Sequence, residues 1–432
     1  MKKLALSLLV LASFTGSAFA QLKLTITSGV TDPIPIAVVP FARAVPADGG
    51  VDVAAIVQRD LESSGRFKGM ARTDMITTPT TAADVEAAAW KQMRNDYVVV
   101  GRVTAVAGGQ LAVEADLVNV LNGQVLPLNR KWTVIPANLR NAAHRVADAV
   151  YERIIGQRGA FATRIAYVSV DGQPPKQRYQ LIVADADGEN AHVILERDRP
   201  LMSPAWSPDG KLLAYVSFES KSSAVYVQDV VSTQRSRVSA RAGINGAPTW
   251  SPDGKKLALT LGGSGGNLDI YLLDLATQQL NRLTDDPGID TEASFSPDGA
   301  FVYFTSDRSG SPQVYRIAVA TRERPKRVTF TGSYNARPRV SPDGKQLAVL
   351  TLDGGAYRIG LQDLTSGALA VLSKGQQDES PSFAPNGAMV ILAGRERGRG
   401  VLQTVSIDGQ TSARLNADAG EVREPVWGPF LP

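Results

Sequence analysis

The chain has 432 residues, which is room for more than one domain. It carries no cysteine, so disulfides and cysteine-ligated metals are excluded and an exported form must rest on its hydrophobic cores. Its 46 basic and 42 acidic residues come closer to balance once Lys2 and Lys3 are assigned to a leader, which gives no argument for nucleic acid.

Met1-Lys2-Lys3 opens the chain, followed by an apolar stretch from Leu4 to Ala12 and by Ala18-Phe19-Ala20. Residues 1–20 read as a secretory signal peptide with an A-x-A cleavage site, and the mature chain is expected to start at Gln21. The apolar run is too short to span a bilayer, and no later stretch is long enough for a membrane helix. Residues 21–30 form an arm. In Gln21, Leu22, Lys23, Leu24, Thr25, Ile26 and Thr27, apolar and polar residues alternate. That pattern suits an edge strand of the next domain, or a detachable strand that adds to a partner's sheet.

Residues 31–157 read as a compact α/β domain. Ile34 to Phe41 is a strand punctuated by prolines. Asp52 is placed to cap a helix with Val53, Ile56, Val57 and Leu61 on one face, ended by Gly65. Asp84 is expected to cap a second helix running through Trp90 and Met93. Tyr97 to Val103 is strand-like, and Asn122-Gly123 joins Leu111–Val118 to Gln124–Thr133 as a hairpin. Asn138 is placed to cap a last helix, which Gly156 ends. Gln157 to Thr163 is the linker.

Residues 163–432 are repetitive. Ser207-Pro208-Asp209-Gly210 recurs at Ser251, Ser296 and Ser341, with a worn copy, Ala384-Pro385-Asn386-Gly387, at steps of 44, 45, 45 and 43 residues. That period is one propeller blade per repeat. Proline pre-sets φ in the turn, Asp or Asn tolerates the next position, and Gly accepts φ > 0. Apolar runs such as Leu212 to Val216 follow each turn and suit strands covered on both faces. Arg164 to Ser169 copies the second strand of a blade with no inner strand before it. Glu424-Pro425-Val426-Trp427 supplies that inner strand from the far end. The expected fold is an α/β N-terminal domain plus an all-β six-bladed β-propeller, with the C-terminal strand closing the first blade and protecting its edges.

Signals for chemistry are weak. Gly262-Gly263-Ser264-Gly265-Gly266 matches the G-x-S-x-G hydrolase pattern, but it lies between two blade strands, without the strand–elbow–helix setting that motif needs. The two histidines are His144, in an expected helix, and His192, in an expected outer strand. Asp185-Ala186-Asp187-Gly188 resembles the start of a calcium loop but lacks the closing Glu, and reads as a turn. The Asp residues of the repeated turns recur once per blade, which marks them as structural. No catalytic residue, metal or cofactor is expected.

The loops before the inner strands are more informative. They converge on one mouth of the central channel, and their residues diverge where the turns repeat, which suits an asymmetric binding surface. The candidate contacts are Met202, Ser203, Ile244, Asn245, Ala247, Thr291, Glu292, Asn335, Arg337, Glu379, Arg423 and Glu424. The six loops holding them contain no aromatic residue, which speaks against a sugar-binding propeller.

These stretches resemble the TolB family, the periplasmic component of the Tol-Pal system, over essentially the whole mature chain. The matching residues include Pro35 to Phe41, Val98 to Gly101, Gly159 to Phe161, Thr163 to Val168, Leu201 to Gly210, Asn245 to Pro248 and Ala384 to Gly387. The resemblance implies a non-enzymatic periplasmic adaptor. It would bind the lipoprotein Pal at the propeller mouth, and so be peripheral to the outer membrane. It would bind TolA through Gln21 to Thr27, and would support envelope integrity and division. Colicin translocation segments exploit the same propeller site in the family. Members often carry a His directly before Asn-Gly-Ala-Pro, where this chain has Ile244. The alternative reading is a propeller-bearing hydrolase or peptidase, which needs an α/β-hydrolase domain that these 432 residues leave no segment for.

Overall fold

A computed structural model describes residues 32–43, 50–220, 222–262, 266–415 and 420–431. The leader, the arm Gln21 to Thr27 and Ser264 lie outside the described residues.

The N-terminal domain runs β1 (Ile34–Val38), β2 (Ala42–Arg43), α1 (Val53–Ser63), β3 (Phe67–Gly69), α2 (Ala87–Gln92), β4 (Tyr97–Val106), β5 (Gln110–Asn119), β6 (Gln124–Val134) and α3 (Leu139–Ile155). The sheet order is β3-β1-β4-β5-β6, with β2 alongside β4. Strand β1 lies parallel to both neighbours, and β4, β5 and β6 are antiparallel. The period of two along β1 decides the layers. Ile36 and Val38 face α1 and α3, while Ala37 and Val39 face Trp90 of α2. Both faces are therefore covered, and each fully buried Val, Leu or Ile contributes about 1.5–3 kcal/mol relative to exposure.

Local chemistry sets the helix ends. The Asp52 carboxylate accepts the Ala55 N–H at 3.0 Å and starts α1. Helix α3 stops at Gly156, whose φ of 80° is left-handed and whose N–H donates to the Glu152 carbonyl. Two expectations are corrected. Asn138 occupies the cap position of α3 but makes no side-chain cap hydrogen bond. Asp84 does not cap α2. Its carboxylate accepts the backbone N–H and hydroxyl of Thr81, which closes a separate 3-10 turn, Ala82–Asp84, and α2 starts later without a side-chain cap.

The remaining strands form six four-stranded antiparallel sheets. Blade 1 holds β7 (Arg164–Asp171), β8 (Arg178–Asp185) and β9 (His192–Arg197). Its inner strand is the C-terminal strand Glu421–Trp427, antiparallel to β7. Blades 2 to 6 begin with inner strands Leu201–Trp206, Ile244–Trp250, Asp290–Phe295, Asn335–Val340 and Glu379–Phe383. In four turns the Ser hydroxyl donates to the Asp carboxylate at 2.6 Å and stands within 2.9 Å of the N–H that starts the second strand. The turn glycines have φ near 70°, and a Cβ at Gly254, Gly299 or Gly344 would meet the preceding turn's proline only at ordinary contact distance. Conformation, not crowding, therefore demands glycine here. Blades are also tied side to side. Trp250 Nε1 donates to the Ala205 carbonyl of blade 2, and Gln362 Nε2 to the Val328 carbonyl of blade 4.

In a meander of this kind, the first and third connections of every blade share one end. The N-terminal domain docks there. Arg140 pairs with Asp185 and Asp187 in the β8–β9 turn. Gln157 and Arg158 bond the worn turn at Asn386. The loops leading into the inner strands lie at the opposite end.

Candidate functional site at the propeller mouth

Each of the six inner strands carries a register shift at the same place. One non-glycine residue per blade is left-handed there: Ser203, Ala247, Glu292, Arg337, Ser380 and Glu424, with φ between 43° and 55°. Five of them precede a proline, which cannot continue the ladder and belongs at a bulge. Such conformations cost of the order of 1–3 kcal/mol each and concentrate at functional sites. All six residues line a central cavity of about 300 Å³.

The cavity is charged. Arg337 Nε lies 2.7 Å from Glu292 Oε1, its Nη1 donates to the Ser380 hydroxyl, and Glu379 stands 3.8 Å away. The Glu424 carboxylate accepts the Ser203 N–H across the closure of the ring. Burial opposes the charge of Arg337, but Glu292, Glu424 and Glu379 outweigh it and raise its pKa. Burial pushes Glu424 up, against the pull of Arg337 and the Ser203 N–H. Burial lowers Arg339, which lines the same cavity.

Beyond the bulges the open end is apolar. Met202, Ile244, Ile289, Tyr357 and Phe330 are exposed, Phe330 by 72%. Single exposed apolar residues are ordinary, but five at one end of the blades make that end a candidate contact surface. Of the residues expected from sequence, Met202, Ile244, Glu379 and Arg423 reach this surface, and Ser203, Ala247, Glu292, Arg337 and Glu424 line the cavity. Thr291 pairs with Thr260, in the second strand of the preceding blade, at 3.2 Å.

Asn245 and Asn335 are corrected from contacts to braces. Both are fully buried: the Asn245 amide bonds Arg241 and Ser239, and the Asn335 Nδ2 donates to the Thr331 carbonyl and to Gln313 Oε1 of blade 4, while its Oδ1 has no hydrogen-bond partner among the described residues. Ser380 was legible as the sixth member of its repeat position and was missed. Phe330, Tyr334 and Tyr357 were missed because they flank the loops instead of lying in them. Tyr334 and Tyr357 meet edge to face, with ring centroids 5.4 Å apart.

A second cluster lies at the domain junction. His144 of α3 is buried, with Nδ1 2.6 Å from Asp60 Oδ2 of α1 and Nε2 3.8 Å from Asp185 of the propeller. Burial opposes its charge, yet Asp60, Asp185 and Asp187 raise it to about 10. Asp60, His144 and Asp187 could surround one ion. Arg140 and Arg59 already hold Asp187, and the surrounding carboxylates favour the protonated form of His144, so the cluster reads as an ion-pair network that ties the two domains. Asp185 and Asp187, read from sequence as a plain turn, are its propeller side.

Comparisons with known proteins cover both parts of this architecture. The TolB beta propeller domain family matches residues 151–431, and the TolB amino-terminal domain family matches residues 22–126. The Tol-Pal system protein TolB of Xanthomonas campestris pv. campestris (strain B100) is 50% identical over 424 residues, covering 96% of this chain and 95% of the relative. Its counterpart in Xanthomonas oryzae pv. oryzae (strain PXO99A) is 49% identical over the same shares. The crystal structure of TolB from Acinetobacter baumannii is 41% identical with a TM-score of 0.84, covering 92% of this chain and 97% of that one.

Proposed function

The chain belongs to the TolB family, and from that premise we propose that it is a non-enzymatic periplasmic adaptor of the Tol-Pal system. The reading gives it two partners: the lipoprotein Pal at the open propeller end, and TolA through the arm Gln21 to Thr27. Colicin segments would share the Pal surface. The observation that carries the reading is the asymmetric end opposite the N-terminal domain, where an apolar rim surrounds a charged, strained cavity. A rim of exposed apolar groups around fixed polar ones is the anatomy of a protein interface. Binding would need no catalytic group. His144 is locked in the domain junction, and His192 begins an outer strand.

The test is calorimetry of the mature protein with the soluble domain of Pal from the same organism. One-to-one binding is expected, weakened at least ten-fold by Ile244→Glu and by Phe330→Glu, since a charge buried in an apolar contact is costly. Unchanged affinity in both variants would move the site away from this end. Removing residues 21–30 should abolish capture of TolA and leave the fold intact. If Pal occupancy controls the arm, that removal must also alter Pal affinity, because coupling is reciprocal.

A further inference from the structure

A pocket opens on the same end between blades 5, 6 and 1, enclosing about 420 Å³. Tyr334 and Tyr357 form one wall, Glu421 and Arg423 the other, and Asp378 and Gly394 lie at its base. Asp378 is only 1% exposed. Its Oδ2 accepts the Gly375 N–H at 2.9 Å and the Ser373 hydroxyl stands beside the carboxylate and helps hold its pKa down against burial, while Oδ1 makes no well-aligned hydrogen bond among the described residues. A buried carboxylate oxygen left in this way calls for a donor.

The repeat shows which donor fits. Asp378 occupies the position of Asn245, Asp290 and Asn335, two residues before each left-handed bulge residue. The two asparagines donate to carbonyls of their own loops, which an aspartate cannot do. The other aspartate, Asp290, is satisfied by a guanidinium. Arg308 Nη2 reaches both of its oxygens at 2.8 and 2.7 Å, while the same guanidinium lies over Phe304 and Tyr315.

Register places Arg308 two residues beyond Ser306, the partner of Asp290. The equivalent residue in blade 6 is Glu396, two beyond Gly394. Of the nearby arginines, Arg395 pairs with Glu421 and Arg358 with Asp353, and Arg423 in the opposite wall stands 3.8 Å from Glu421; none of them makes a salt bridge with Asp378. Gly394 leaves the base open, since a Cβ there would stand 2.9 Å from Asp378 Oδ1. Blade 4 thus completes its carboxylate from within, and blade 6 presents the same carboxylate beside aromatic rings with a glutamate, Glu396, where blade 4 has Arg308.

We propose that this pocket receives an arginine side chain of the protein docked on this face, with Asp378 as its carboxylate and Tyr357 as its aromatic wall. The inference rests on the partner-binding reading of this end for its occupant, but the pocket chemistry can be tested alone. The probes are Nα-acetyl-arginine methylamide and the uncharged Nα-acetyl-norleucine methylamide, followed by NMR on the mature protein.

Saturable binding of the arginine probe is expected, at least ten-fold tighter than the norleucine probe. It should weaken at least ten-fold in Asp378→Asn and several-fold in Tyr357→Ala, whose side chain is exposed enough to be removed without unfolding. Equal binding of the two probes, or arginine binding unchanged in Tyr357→Ala and in folded Asp378→Asn, overturns the proposal. A Pal titration separates the two readings. Pal binding without arginine binding sinks the pocket alone, and arginine binding at Asp378 without Pal binding sinks the choice of partner alone.

Discussion

At the scale of single residues, the repeat is informative where it breaks. Four blades place a buried polar side chain at one position: the two asparagines donate to carbonyls of their own loops, and the two aspartates cannot. Asp290 depends on Arg308, whose Nε also donates to Ser306. Burial pushes Asp290 up, and Ser306 and Arg308 hold it down. Replacing Arg308 by Met leaves a buried carboxylate without its cation. Urea unfolding should show a loss of about 3–5 kcal/mol at neutral pH. The loss should shrink as the pH falls, because the unpaired carboxylate can take a proton. Adding Asp290→Leu should recover most of the loss, since an apolar pair costs no desolvation. A single variant with unchanged stability would mean that Asp290 is satisfied without its arginine.

At the scale of elements, α1, α3 and the β8–β9 turn meet through buried groups that both favour the protonated form but titrate in separate pH windows. His144, raised from 6.5 to about 10, adds stability that is complete below pH 6.5 and is lost as pH rises through 10. Asp148 of α3 accepts the linker N–H groups of Phe161 and Ala162, yet burial pushes it up to about 6. The folded form then binds its proton more tightly than the unfolded chain, so this group lowers stability as pH rises from 3.8 to 6. Two declining windows are therefore expected in a stability–pH profile. Asp148→Asn should flatten the acidic one. His144→Gln should flatten the alkaline one while costing about 3–5 kcal/mol at neutral pH, because Asp60 loses its partner. A profile that rises through either window would refute the corresponding assignment. None of this junction was readable in the sequence. Ser-Pro-Asp-Gly turns announce themselves because their chemistry is local, and so do the Asp52 cap and the Gly156 stop. Asp84 misled because Thr81, a residue outside the expected helix, claimed its carboxylate. His144, Asp60 and Asp187 come from three separate stretches, and only the tertiary fold brings them within one network. The mouth divides in the same way. The bulge residues repeat and can be counted along the chain. Whether Asn245 faces a partner or its own loop depends on strand register, which the sequence pattern does not specify.

At the scale of the whole molecule, closure links the ring to the domain behind it. The C-terminal strand pairs with β7, and Trp427 sits where blade 6, blade 1 and the linker meet. Its N–H donates to the Ser382 hydroxyl of blade 6, and its indole Nε1 donates to Thr163 of the linker at 2.9 Å. Ala160, Ala384, Met389 and Phe430 surround the ring. Four residues earlier on the opposite side of the bulge, Arg423 reaches the mouth pocket, and Glu424 bonds blade 2. One strand therefore holds the ring shut, anchors the N-terminal domain and shapes the open mouth. Trp427→Ala should cost about 3–5 kcal/mol, as for other large core truncations. Its effect should not stay local. Opening this blade exposes the edge of β7, and an open edge invites pairing with another chain. Calorimetry of the variant should show the single unfolding transition splitting in two, with the propeller melting first and aggregating. Val193→Ser, on the exposed outer strand of the same blade, should change stability by no more than about 0.5 kcal/mol. A Trp427→Ala protein that still melts in one sharp, reversible transition would show that strand pairing alone closes the ring, with the tryptophan only filling space beside it.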